Sequence, residues 1–288
     1  MIPGFTEHTT GPLAYSIGGA GPPLLMLHGF PQTRAMWARI APELAQTHTV
    51  ICPDLPGYGT SGKPERLDAY SFRAMARAML GLMDHLGHGG FDLVGHDRGA
   101  RVAHRLALDA PGRVRRVALL DIVPTHRLLS DLRWPVARAY YHWFFLAQPA
   151  PFPERMIAAD PDAYYQSCLL GWGGAQLSDF DADQLARYRA AWRDPDTIRG
   201  MCNDYRATLE IDMDHDSADA DARIACPALI LFGSTGAMAG HYDVPATWAP
   251  RCTDMRAQAI PGGHFFPDTA PDATLAALRT MLAKGAGA

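Results

Sequence analysis

The chain has 288 residues, 48% hydrophobic and 19% charged, with a formal net charge of −4. That length suits one large α/β domain, or one domain carrying an insertion, whose core needs no disulfide or metal to hold it. No basic block stands out, which argues against nucleic acid or an anionic membrane as partner, and no apolar run is long enough to span a bilayer.

In chain order, Ser16–Pro22 is rich in turn formers and closes a first hairpin-like region. Leu24–Leu27 is a short, continuous apolar run, the pattern of a strand buried on both faces, and it stops at His28-Gly29-Phe30-Pro31. A helix with Trp37, Ile40 and Leu44 on one face comes next, then a strand over Thr49–Cys52 that runs into a Pro- and Gly-rich loop. Helical period returns over Ser71–Leu86. Phe91–Val94 reads as a strand leading into Gly95-His96-Asp97-Arg98-Gly99, with a helix over Arg101–Asp109. Val117–Leu120 is a further strand, ending at Asp121. This alternation predicts a mostly parallel sheet with helices on both faces.

After Pro124 the pattern changes. From about 125 to 221 no strand pattern appears, aromatic residues are dense, and prolines at 149, 151, 153, 161 and 195 punctuate helices. The expectation is a helical cap over 125–221, inserted between two parts of one core, 1–124 and 222–288. Strand pattern resumes at Ala228–Phe232 and Met255–Ile260, and a helix over Ala270–Lys284 closes the chain. The five cysteines are scattered without a CxxC pair. They read as reduced thiols of a cytoplasmic protein, with no zinc site or disulfide framework. The first residues lack the basic-then-apolar pattern of a secretory signal.

Four segments end in reactive residues at the carboxyl edge expected of the sheet: His28-Gly29, Asp97, Asp121 and Gly262-Gly263-His264. Ligands bind beyond that edge in open α/β sheets. A strand turning directly into a helix between two glycines is a nucleophile elbow, which strains its central residue and lifts that side chain above the sheet. Here the central residue is Asp97. A carboxylate nucleophile suits displacement at a saturated carbon or epoxide opening, through an alkyl ester. His264 is the candidate base for hydrolysing that ester. Asp121 and Asp243 compete to orient it, and Asp121, immediately at a strand end, is the better placed. The backbone amides of Phe30 and Arg98 are placed to hold the oxyanion. Arg98 and Arg101 beside an attacking carboxylate call for a further anion, and a substrate carboxylate fits the forked guanidinium.

With these residues in hand, the chain resembles the fluoroacetate dehalogenases of the α/β-hydrolase superfamily. The resemblance runs through HGFPQT (His28–Thr33), GHDRGAR (Gly95–Arg101), LLDIVPT (Leu119–Thr125), ARAYYHWFFLAQPAPFPE (Ala137–Glu154), GWG (Gly171–Gly173), DYRA (Asp204–Ala207) and PGGHFF (Pro261–Phe266). It implies an α/β-hydrolase fold with a cap after the strand ending at Asp121. It also implies attack by Asp97 on the α-carbon of a haloacetate, with Arg98 and Arg101 on the carboxylate. His142, Trp143 and Tyr205 would donate to the departing halide, and Trp172 would stand between pocket wall and cap core. His264 with Asp121 would release the hydroxy acid. The displacement chemistry requires no cofactor and no metal, and no ligand cluster in the sequence suggests one; the resemblance implies a homodimer. An epoxide hydrolase using the same aspartate is the competing reading, kept open by Tyr140, Tyr141 and Tyr205. So is a haloacid dehalogenase restricted to chlorine and bromine.

Overall fold

The computed structural model describes residues 2–172 and 174–283, so Gly173 of the GWG stretch and Lys284 of the closing helix lie outside the described residues. A hairpin of β1 (Thr6–Thr10) and β2 (Leu13–Gly18) forms one edge of the sheet. It continues through β3 (Pro23–Leu27), β4 (Thr49–Pro53), β5 (Phe91–His96), β6 (Val114–Leu120), β7 (Ala228–Gly233) and β8 (Met255–Ile260). The order is β1-β2-β4-β3-β5-β6-β7-β8. β2 joins β4 antiparallel, and every pairing from β4 onward is parallel.

The central strands are continuous apolar runs because both faces are covered. Leu25, Val94 and Leu119 are fully buried. On one helix, α1 (Phe72–His85), the buried residues Phe72, Met75, Ala76, Met79, Leu82 and Met83 recur at three- and four-residue spacing, which makes a single stripe. Ser71 caps it by accepting from the Ala74 amide.

Two local expectations shift. The helix predicted around Trp37 and Leu44 is split into a 3₁₀ turn, Arg34–Arg39, and a short helix, Ala41–Leu44. Pro42 is the reason: inside one continuous helix its ring would strike the carbonyl four residues back and it has no N–H to give. The helix after β5, α2 (Arg98–Asp109), begins three residues earlier than the sequence pattern suggests. Its polar first turn, Arg98 to Arg101, is buried, so hydrophobic periodicity does not mark it.

The elbow between β5 and α2 is sterically specified. Asp97 has φ +48°, in the left-handed region. A Cβ on Gly95 would stand 2.4 Å from the Gly99 carbonyl oxygen, and one on Gly99 would stand 2.4 Å from the His28 carbonyl oxygen. Only glycine permits this approach, and packing over-determines the strain at Asp97.

Between β6 and β7 every described element is helical. Those that matter below are α3 (Tyr141–Leu146), α4 (Ala182–Trp192) and α5 (Pro195–Ala207), which runs on into a wider π turn, Thr208–Asp212. The chain closes with α6 (Pro271–Ala283).

Candidate active site

Asp97, Asp121 and His264 meet beyond the carboxyl edge of the sheet, all of them buried. The Asp97 carboxylate makes no capping bond to its own helix. Its Oδ2 accepts the Phe30 amide at 2.9 Å. Its Oδ1 lies 3.9 Å from His264 Nε2, and that nitrogen has no partner among the described residues. The other ring nitrogen of His264, Nδ1, lies 2.6 Å from Asp121 Oδ2. Asp121 is itself fixed: its Oδ1 accepts the Gly233 amide at 2.8 Å, and its φ is +53°. Asp243 is elsewhere, exposed, capping a short helix by accepting the Ala246 amide at 3.0 Å. The sequence reading weighs Asp121 against Asp243 and prefers Asp121, and it is Asp121 that pairs with the histidine.

These contacts set the charges. Burial disfavours an anion at Asp97, but His264, His96, Arg101 and Arg98 outweigh it and hold its pKa below the ordinary carboxylate value. Burial likewise disfavours the His264 cation. The Asp121 hydrogen bond and charge, with Asp97 behind them, reverse that and raise the histidine's pKa.

The two arginines differ. Arg98 is fully buried and grips Asp204 through Nε at 2.8 Å and through Nη2. Nη2 also donates to Thr208 Oγ1, leaving Nη1 without a partner. Tyr58 donates to the same Asp204 carboxylate at 2.6 Å. The sequence reading therefore missed a residue: Asp204, on α5, is the counterion that lets Arg98 be buried. A buried arginine demands such a partner, but spacing alone does not say which of many aspartates supplies it.

Arg101 has no carboxylate hydrogen-bonded to it among the described residues. Its Nη1 donates to the Val123 carbonyl at 3.1 Å and to Thr125 Oγ1 at 2.9 Å, while Nε is buried and unpartnered. Burial, opposed by Asp97 and reinforced by Arg98, pulls its pKa down to about 10. It remains a cation at neutral pH, poorly solvated and beside the elbow.

Above the elbow, α3 and α5 bring His142, Trp143 and Tyr205 together with Phe30. The His142 ring stacks on Phe30 at 5.6 Å and lies 5.4 Å from Tyr205, which is also 5.4 Å from Trp143. His142 Nδ1, Trp143 Nε1 and the Tyr205 hydroxyl are all buried without partners. Each such buried polar group costs about 1–3 kcal/mol if nothing pairs with it. Burial drives the His142 pKa well down, so its ring is neutral. The Tyr140 hydroxyl is likewise buried and unpartnered. Trp172 packs on this cluster and braces it. Its ring lies 4.2 Å from His142, its indole N–H donates to the Ala139 carbonyl at 2.9 Å, and its own carbonyl accepts the His264 amide at 2.9 Å. No cluster of potential metal ligands occurs among the described residues.

The model of the alpha/beta hydrolase fold matches residues 22–271. A fluoroacetate dehalogenase from Burkholderia sp is 51% identical over 92% of this chain and 88% of the relative. A soluble epoxide hydrolase from Corynebacterium sp. (strain C12) is 31% identical over 94% of this chain and 91% of the relative. A crystal structure from Nostoc sp PCC 7120 superposes with a TM-score of 0.96 at 44% identity, covering 99% of this chain and all of that one. Fold and match together make this chain an α/β hydrolase. Within that class it belongs to the fluoroacetate dehalogenase family.

Proposed function

We propose that this hydrolase removes halide from short 2-haloacids, fluoroacetate foremost, giving glycolate, halide and a proton. The observation that carries the reading is Arg101: a buried guanidinium with an unused N–H and no carboxylate partner among the described residues, one helical turn from an elbow aspartate. It suits a substrate carboxylate, with the remaining Nη1 of Arg98 as a second donor. The α-carbon then faces Asp97.

In this reading Oδ1 of Asp97 attacks, since Oδ2 already receives the Phe30 amide. The carbon–halogen bond breaks as the ester forms. With its proton on Nδ1, neutral His142 joins Trp143 Nε1 and the Tyr205 hydroxyl in taking the developing halide charge; removing one preorganised donor of this kind costs roughly 3–4 kcal/mol elsewhere. Water between His264 and the ester gives its proton to Nε2, and Asp121 holds the imidazolium. The Phe30 amide is already on the oxygen that becomes the oxyanion, with the Arg98 amide as the expected second donor. The helices over 125–221 act as the cap, and the chain works without metal or cofactor, as a cytoplasmic homodimer.

Purified protein with fluoroacetate, followed by a fluoride electrode, tests this. Fluoride is expected with the wild type, and a fall of about 10⁴-fold or more with Asp97→Asn. Wild-type release no greater than that of the variant overturns the reading.

The charge pattern predicts a split pH dependence. Asp97 must be ionised to attack, and its lowered pKa keeps it so well into acid. His264 must be neutral to activate water, and its pKa is raised. As pH falls, the first-turnover halide burst should therefore outlast steady-state turnover in rapid-quench measurements. Loss of both together would contradict this assignment of roles.

Epoxide opening is favoured by one specific observation, the unpartnered hydroxyls of Tyr140 and Tyr205, which suit an epoxide oxygen. Arg101 counts against neutral epoxides. Turnover of these without haloacid activity would establish it.

A further inference from the structure

His96 is buried directly before the nucleophile and neither bonds substrate nor moves a proton in the chemistry above. Its Nε2 lies 2.9 Å from the backbone carbonyl oxygen of His264. A carbonyl only accepts, so Nε2 carries the proton. Burial, helped by the neighbouring His264 charge, pulls the His96 pKa down to about 4, so the ring is neutral and holds this tautomer. No other donor reaches that carbonyl among the described residues. The two imidazoles lie 4.8 Å apart, and Phe265 and Phe266 pack against the His96 ring at 6.1 and 6.3 Å.

The base is therefore held at three points. The amide of His264 donates to the Trp172 carbonyl, its Nδ1 meets Asp121, and its carbonyl receives His96. The nucleophile is anchored separately: the Asp97 amide donates to the Leu120 carbonyl at 3.1 Å, and the carboxylate takes the Phe30 amide. Resting on the displacement reading above, we propose that His96 is a positioning residue for His264 that serves ester hydrolysis and not the attack that forms the ester. Without its N–H, the backbone at 264 loses its tie to the end of β5, and Nε2 no longer faces the ester with a fixed aim.

The test follows fluoroacetate through a rapid-quench burst and intact-protein mass spectrometry. His96→Leu removes the donor at similar bulk. His96→Asn keeps an amide that is too short to reach, and His96→Gln offers an amide N–H of longer reach. The Leu and Asn variants should keep the fluoride burst, whose amplitude counts folded active sites. Steady-state turnover should fall roughly 10- to 100-fold, the scale of a misplaced reacting group. Ester on Asp97 should accumulate in both, and the Gln variant should regain turnover. If the Leu variant does not fold, the Asn and Gln pair makes the same comparison. Burst and turnover falling together, or turnover left unchanged, overturns the assignment of His96. Failure of His264→Ala to trap any ester would instead overturn the displacement reading itself, so the two failures are distinguishable.

Discussion

His264→Ala is expected to release a single equivalent of fluoride per active site from fluoroacetate and then stop. In the proposed displacement, attack by Asp97 needs no base, because its lowered pKa keeps the carboxylate ionised and its Oδ1 accepts no hydrogen bond among the described residues. In the same proposal hydrolysis of the ester does need one, and His264 Nε2, 3.9 Å from that oxygen, is the group placed to serve. The trapped chain should be heavier by one carboxymethyl group, carried on the peptide that contains Asp97. Turnover beyond the burst should fall by about six orders of magnitude, as when the base of a catalytic triad is removed. A variant that turns over at a tenth of the wild-type rate, or that shows no adduct, contradicts the assignment of the base.

The arginines should separate stability from function. Arg98→Met strands Asp204, which is fully buried and then keeps only the Tyr58 hydroxyl of its side-chain donors. Breaking a buried pair from one side costs about 3–5 kcal/mol, so chemical denaturation should show a large loss of stability. Arg101→Met strands no carboxylate. The lowered pKa of Arg101 means that its cation is less favoured in the folded chain than in the unfolded one, so at neutral pH the charge opposes folding. Its removal should leave stability unchanged or raised. The same variant should lose kcat/KM for haloacetate by roughly a hundredfold or more, the 2–5 kcal/mol scale of truncating one partner of a buried charged contact. Equal destabilisation by both variants would mean that Arg101 serves the fold and not a ligand.

This contrast shows what the sequence could reveal and what it could not. The strands were legible because buried parallel strands are continuous apolar runs, and the elbow because Gly95 and Gly99 frame a position that only glycine neighbours allow. Four segments at the carboxyl edge of the sheet end in polar residues that could carry chemistry, so chain position alone singled out Asp97, Asp121 and His264, which do meet in space. The helix boundary at Arg98 was not legible, since a first turn of buried polar residues has no hydrophobic period. Nor was Asp204, more than a hundred residues from the arginine it neutralises. Folding brings α5 against α2, and no local pattern records that pairing. The sequence suggested two carboxylate clamps; the structure gives one arginine committed largely to Asp204 and one with no carboxylate partner among the described residues. Trp172 was ambiguous for a related reason. An indole on an apolar body looks alike in a core and in a pocket, and here it lines the site while its carbonyl holds the backbone of the base.

The most direct measurement is a single turnover of fluoroacetate in ¹⁸O-labelled water, with enzyme in excess. Displacement by Asp97 predicts that glycolate leaves carrying the unlabelled carboxylate oxygen and that the label appears first in the side chain of Asp97. Label found directly in the glycolate hydroxyl, with Asp97 unlabelled, would mean attack by water itself and would contradict the covalent route.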